Sequence, residues 1–161
     1  MKELDPAWIR PWKGSNTIRL VDCGGRTDLI ARMPDELRTC IERGGDTTLM
    51  VWADLDHDMD DGDQLRQEFH KRAKQNGLED EDFDSVVFVF AKDRLENWIE
   101  FLSTGSTDES REGPRVKDGK SVAAAAKQLA QICKGQQQVD LPPSLNWSCL
   151  NWRRLVARMR E

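Results

Sequence analysis

No run of apolar residues in this 161-residue chain approaches the length of a membrane span, and the opening MKELDPAWIRPWKG has neither the apolar core of a signal peptide nor the character of a transit peptide. The expectation is a cytoplasmic protein with no membrane partner. Histidine and cysteine are scarce. The two histidines, His57 and His70, and the four cysteines, Cys23, Cys40, Cys133 and Cys149, show no CxxC or Cys/His spacing. Zinc and a disulfide framework are therefore both disfavoured, and buried reduced thiols are the expected state. No internal repeat is evident. At 38% hydrophobic and 33% charged, the chain fits one compact domain long enough to bury a core.

Against these absences stands one dense feature. Residues 47–63, TTLMVWADLDHDMDDGD, are an apolar β-rich run that ends in six carboxylates with no basic residue among them. A buried strand that delivers acids to its carboxyl end is the place where open α/β sheets hold their ligands. Six like charges within ten residues repel one another, and a hard divalent cation, Mg²⁺ or Mn²⁺, would supply the counter-charge. A solvated acidic surface is the competing explanation. Asp54 and Asp56 follow the strand-like LMVWA, and residues i and i+2 of an extended chain share a face, so these two could share one ion. Asp58, Asp60, Asp61 and Asp63 lie further into the loop and read as solvated. An EF-hand is excluded, because its glycine and bidentate-glutamate positions fall on Met59 and Leu65, or on Asp61 and Gln67 if the frame starts at Asp56.

Charge is divided along the chain. Residues 1–109 carry 14 Lys+Arg against 25 Asp+Glu, whereas residues 110–161 carry 10 against 4. An acidic α/β domain over 1–109 with a basic helical extension over 110–161 suits a protein that coordinates metal with one part and holds a polyanion with the other. It equally suits two parts that attract each other.

The periodicity predicts a strand at 17–22 ending in Cys23-Gly24-Gly25, then a helix opened by Pro34 with Leu37, Cys40 and Ile41 on one stripe. A strand at 47–53 follows. Next come a helix at about 62–76 with Leu65, Phe69 and Ala73 inward and Gly77 as its stop, an acidic loop at 79–84, and a strand at 86–91. That last strand, VVFVFA, is apolar on both faces and is expected to be central in a parallel sheet. A helix at about 93–102 leads into the polar connection 103–119, which reads as a movable segment. Two further helices are expected, at about 120–133 with Val122, Ala126, Leu129 and Cys133 on one stripe, and at about 144–159 with Leu145, Cys149, Trp152, Val156 and Met159 on one face. Arg153, Arg154, Arg158 and Arg160 fall on its other faces. Trp147 and Trp152 read as packing anchors more readily than as base-stacking platforms. Alternating strands and helices predict a parallel α/β sheet whose strand ends meet at one edge.

The turn Cys23-Gly24-Gly25-Arg26, the strand-end Asp54-Leu55-Asp56 and the segment Lys92-Asp93-Arg94-Leu95-Glu96-Asn97-Trp98 together resemble the Toprim domain, above all Toprim modules of the OLD-nuclease type and related small bacterial Toprim-like proteins. The likeness covers residues 17–102. It implies a Rossmann-like parallel sheet, one or two Mg²⁺ (or Mn²⁺) ions, and cleavage or rejoining of phosphodiester bonds, with Asp54 and Asp56 as the family's DxD and Arg94, Glu96, Asn97 and Trp98, spaced R-x-E-N-W here, matched to its R-x-x-E-N-aromatic segment. The site residues so implied are Asp54, Asp56, Glu96 and Lys92, with Asp54, Asp56, Glu96 and Asp22 as metal ligands. The implied partners are nucleic acid, DNA favoured over RNA, and an ATPase in a bacterial defence or repair setting.

One departure separates the chain from that family. Toprim enzymes carry a glutamate at the end of the first strand, in a VEG-like segment, and residues 1–16 hold nothing like it; Glu3 sits in MKELDPAW. Either the chain is truncated ahead of residue 1, or Asp22 takes an acidic role, or catalysis is lost and a Toprim-like interaction module remains. A sugar-nucleotide transferase using a DxD and a phosphatase with Asp54 as nucleophile are minor alternatives: the first lacks an evident sugar-nucleotide domain, and the second has Asp58 where its motif needs Thr or Val.

Overall fold

In a computed structural model of the chain, the described residues are 21–45, 47–56, 59, 62–92, 95–116, 118–134 and 139–158, the side chains of 155–158 excepted. Among them are six helices and two strands, in the order α1 (Arg26–Arg43), β1 (Met50–Leu55), α2 (Gly62–Gln75), α3 (Asp80–Asp84), β2 (Val87–Lys92), α4 (Leu95–Thr104), α5 (Gly119–Cys133) and α6 (Pro143–Arg158). The class is mixed α/β, and the strands are parallel, paired from Met50 opposite Val87 to Leu55 opposite Lys92. No described helix is long and apolar enough to cross a membrane.

The strand alternation divides the molecule into two packed layers. Val51, Leu55, Phe88 and Phe90 join Met33 and Leu37 of α1, Leu65, Phe69 and Ala73 of α2, and Phe83 of α3 in one cluster. Val87, Val89 and Ala91 join Trp98, Ile99 and Leu102 of α4, Ile132 and Cys133 of α5, and Leu145, Cys149 and Trp152 of α6 in the other. The inward stripe of α2 is the expected one, and the helix ends as expected at Gly77. This glycine has φ +75°, with Leu78 N–H donating to Ala73 C=O at 3.1 Å and Gly77 N–H to Lys74 C=O at 3.0 Å. That paired hydrogen bonding is a Schellman stop, and glycine supplies the left-handed residue it requires.

Several elements depart from the sequence expectation. Of the strand expected at 17–22, residues 17–20 lie outside the described residues, and Val21 and Asp22 are irregular. Helix α1 starts eight residues before Pro34, which sits inside it. A proline there forgoes one backbone hydrogen bond, and the ring is compensated by burial against the core. The buried stripe accordingly runs through Met33 and Leu37 with Leu29 and Ile30 packed beside them, while Ile41 is exposed. The acidic stretch 79–84 contains the short helix α3, pinned by buried Phe83. In α5 the inward positions are Ala125, Ala130, Ile132 and Cys133, and Val122 faces solvent. Residues Met159 and Arg160 lie outside the described residues.

Strand β2 is the larger correction. Expected at the centre of a sheet, it pairs among the described residues with β1 alone, with both faces buried and its other edge met by α6 at Phe90. Ser148 does the covering: its Oγ accepts from Phe90 N–H at 2.9 Å and donates to Phe90 C=O at 3.0 Å. One hydroxyl thus satisfies the N–H and C=O of Phe90, two of the backbone groups that a third strand would have paired. Apolarity on both faces reports coverage of the faces and is silent on the edge.

The thiols are also corrected. Cys133 and Cys149 form a disulfide between the end of α5 and the middle of α6, with Cα atoms 5.1 Å apart, while Cys23 and Cys40 are half-buried and not bridged. The polar connection 103–119, expected to move, is tied down. Glu109 accepts from the Ser144 backbone N–H at 3.2 Å and from its hydroxyl, and Ser144 Oγ accepts from Trp98 Nε1 at 2.8 Å. A carboxylate at the first turn of α6 also complements that helix dipole.

Candidate functional site

The acids of the DxD sit at the carboxyl end of β1, one register step deeper than expected. Asp54 is the fifth residue of the strand, opposite Ala91, and Asp56 is the first residue beyond it; both are exposed. Asp56 opens a turn, its C=O accepting from Met59 N–H at 3.0 Å. Asp58, Asp60 and Asp61 lie outside the described residues.

Around that turn the chain gathers two cations from different elements. Arg26, the first residue of α1, places Nη1 2.5 Å from Asp56 Oδ2 and 3.6 Å from Met59 Sδ. Lys92, the last residue of β2 and half-buried, donates from Nζ to Met59 C=O at 2.9 Å. Met59 is itself buried in the α1–α2–α3 layer, which holds the turn between the two cations. The parallel register delivers Lys92 here, since its partner Leu55 immediately precedes Asp56.

The remaining expected site residues are not drawn into this group. Asp22 is exposed and spends Oδ1 on Gly24 N–H at 2.9 Å, forming the turn ahead of α1. Glu96 is half-buried in the first turn of α4 and has no hydrogen-bond or ion-pair partner among the described residues. Among the described residues no three His, Cys, Asp or Glu side chains stand close enough to hold one metal ion.

Two residues of the segment 94–98 are occupied with packing. Asn97 is fully buried, and its Nδ2 donates to Arg111 C=O at 3.0 Å and to Lys92 C=O at 3.3 Å, tying the end of β2 to the 103–119 connection. Its Oδ1 has no hydrogen-bond partner and faces Gly113, where a Cβ would come within 2.3 Å of it. Trp98 is 1% exposed and anchors the α4–α5–α6 layer. Arg94 lies outside the described residues.

The basic extension is partly committed too. Arg153 Nε donates to Cys133 C=O at 2.8 Å and Arg154 Nη2 to Asp84 C=O at 3.0 Å, so these two stitch α6 to its neighbours. Trp147 stacks on Phe90 with ring centroids 5.0 Å apart and planes 12° apart, and Trp152 is buried; both are packing anchors.

Sequence reasoning passed over Arg26 as a site residue, although it stood in the Gly-Gly-Arg turn, and it passed over Met59 altogether. The arginine was legible from that turn; the Met59 carbonyl, a backbone group, leaves no trace in side-chain pattern. No family model matches the chain, and neither a curated protein nor a solved structure matches it.

Proposed function

We propose that the chain is a Mg²⁺- or Mn²⁺-dependent nuclease module of Toprim type, acting on nucleic-acid phosphodiester bonds at the carboxyl end of β1. The observation that carries this reading is the mixed group at that end: exposed Asp54 and Asp56 with Arg26 and Lys92 held beside the same turn. The β1–β2 pair is then the core of a Rossmann-like sheet, and any further strand joins on the β1 side because α6 occupies the outer edge of β2.

The donor set suits a hard cation. Mg²⁺ needs only one or two carboxylates because it keeps several waters, so Asp54 and Asp56 would suffice to hold it without Glu96. The bound ion would supply Lewis-acid polarisation of a phosphate oxygen. The protein's own part is charge balance. The Arg26–Asp56 pair is open to solvent, with a half-buried arginine and an exposed aspartate whose side chains are 34% and 59% accessible, and such pairs contribute only about 0–1 kcal/mol. Asp56 could therefore exchange Arg26 for a divalent cation at little cost, which would leave Arg26 beside the phosphate. Lys92, fixed by Met59 C=O, meets the same negative charge from the β2 side.

Calorimetric titration of the full chain with Mn²⁺ tests the reading without substrate. Binding that weakens at least about tenfold in Asp54→Ala, and tightens in Arg26→Ala as the competing cation is removed, is the expected pattern. No binding, or equal affinity in all three proteins, rejects it.

A second reading, a non-catalytic Toprim-like module that docks nucleic acid or a partner such as an ATPase, draws on two observations. Asp56 already has a cation, and Asn97 and Trp98 are employed in packing. With Arg153 and Arg154 committed, docking would fall to exposed residues such as Arg115 and Lys120. DNA binding that survives Asp54→Ala, with no cleavage by either protein, selects this reading.

A further inference from the structure

The Cys133–Cys149 bridge has no part in the chemistry above, yet it fastens the helix that closes the sheet. The two residues before Cys149 both reach β2: Ser148 satisfies Phe90 N–H and C=O, and Trp147 stacks on the Phe90 ring. Trp147 also bears on the exit of the acidic turn. A Cβ on Gly62 would fall 2.6 Å from the indole ring, and Trp147 Nε1 donates to Asp63 Oδ1 at 3.0 Å. Sulfur, sheet edge and the start of α2 are thus linked through three consecutive residues of α6.

We propose that the Cys133–Cys149 disulfide is a redox latch: oxidised, it fixes α6 against the edge of β2 and the exit of the acidic turn, and reduced, it lets the middle of α6 lift from that edge. The start of the helix stays in place, because Glu109 and Trp98 hold Ser144 without help from sulfur. In a reducing compartment lasting disulfides are rare, and those that form are mostly transient and redox-sensing, whereas an oxidising compartment keeps the latch shut.

Reduction requires a dithiol. Its thiolate attacks one sulfur of the bridge, and the other leaves as a thiolate that takes a proton. The second thiol then displaces the remaining cysteine, so that two electrons and two protons pass to the protein and the dithiol ends as a disulfide. Both cysteines are buried, at 5% and 2% exposure, but both line an apolar cleft of about 30 Å³ beside Met50 and Trp52, and Trp52 is 46% exposed. The cleft has room for a few waters and not for a dithiol, so attack waits on the opening of α6 from α5.

The latch stands apart from the nuclease reading, and its test uses no cleavage. Thiol titration of the unreduced, denatured chain should find two thiols, those of the unbridged Cys23 and Cys40; four thiols would overturn the proposal. Amide hydrogen exchange of the folded chain should then show Phe90 and the middle of α6 exchanging at least about tenfold faster after dithiothreitol, with α2 beyond its first turn nearly unchanged. Equal rates before and after reduction would overturn it, and so would uniform acceleration through α2, which would make the bridge a general staple. A Cys133→Ser/Cys149→Ser variant should show the fast pattern with or without dithiothreitol; protection that still responds to dithiothreitol in it contradicts the latch. The measurement on the natural chain stands whether or not that variant folds.

Discussion

The two layers that sandwich the β1–β2 pair are held together by different physics. The α1–α2–α3 layer is an aromatic core: Phe69 lies 5.4 Å from Phe88 and 6.1 Å from Phe90 by ring centroid, Phe83 lies 5.5 Å from Phe88, and Arg66 sits 4.9 Å over the Phe83 ring. The α4–α5–α6 layer has its own apolar cluster but adds specific polar ties, from Trp98 to Ser144 to Glu109, from Asn97 to Arg111 and from Ser148 to Phe90, together with the disulfide. A core built from area tolerates rearrangement as long as volume is kept, whereas a layer built from buried polar pairs is left with an unsatisfied group at each broken pair.

The largest expected effect comes from removing one anchor on each side. Phe69→Ala and Trp98→Ala should each destabilise by about 3–5 kcal/mol in urea unfolding, with Trp98→Ala the worse because Ser144 also loses its donor. A milder Trp98→Ala would break the contrast between the layers.

Gly113→Ala comes next. Its methyl would lie 2.3 Å from Asn97 Oδ1 and 2.8 Å from the Asn97 backbone nitrogen, and overpacking of this kind costs about 1–3 kcal/mol. Unchanged stability would mean that the 103–119 connection yields more readily than its ties suggest.

Ser148→Ala should cost about 1–3 kcal/mol, because Phe90 N–H and C=O lose their partner in a buried place. A neutral result would show that the edge of β2 finds another partner, which sharpens where the sheet can grow.

The smallest effect is electrostatic. Hydrogen bonds from His70 and Lys74 hold the Asp80 carboxyl below its ordinary value of 3.8, and bonds from Ser110 and Arg111 and from Lys120 N–H and Ser121 do the same for Asp108 and Asp118 on the other layer. A carboxyl with a depressed folded pKa stabilises above its unfolded value and loses that contribution as pH falls through the folded one. Asp80→Asn should therefore flatten the fall in Tm below pH 3.8 while leaving neutral pH almost unchanged, since the group is exposed.

What the sequence shows follows the same division. The aromatic layer was legible: the four-residue spacing of Leu65, Phe69 and Ala73, the stop at Gly77 and the strand VFVFA are all local patterns. The polar layer was not, because its ties join residues 35, 46 and 58 positions apart and follow no period. The disulfide escaped for the same reason, its cysteines being separated by 16 residues with no motif between them. Pro34 misled by its usual role as a helix opener, when burial lets it sit within α1. At the candidate site the acids were legible as a charge run after an apolar strand. The cation that neutralises Asp56 comes from α1, whose first eight residues carry a stripe that the proline obscured.

The central claim is that the carboxyl end of β1 carries a metal-dependent phosphodiester site built on Asp54 and Asp56. Incubation of supercoiled and single-stranded DNA with the full chain and with Asp54→Ala, each with and without Mg²⁺ or Mn²⁺, tests it most directly. The account predicts cleavage that needs the metal and is lost in the variant; metal-dependent cleavage of equal rate in both proteins, or none by either, would contradict it.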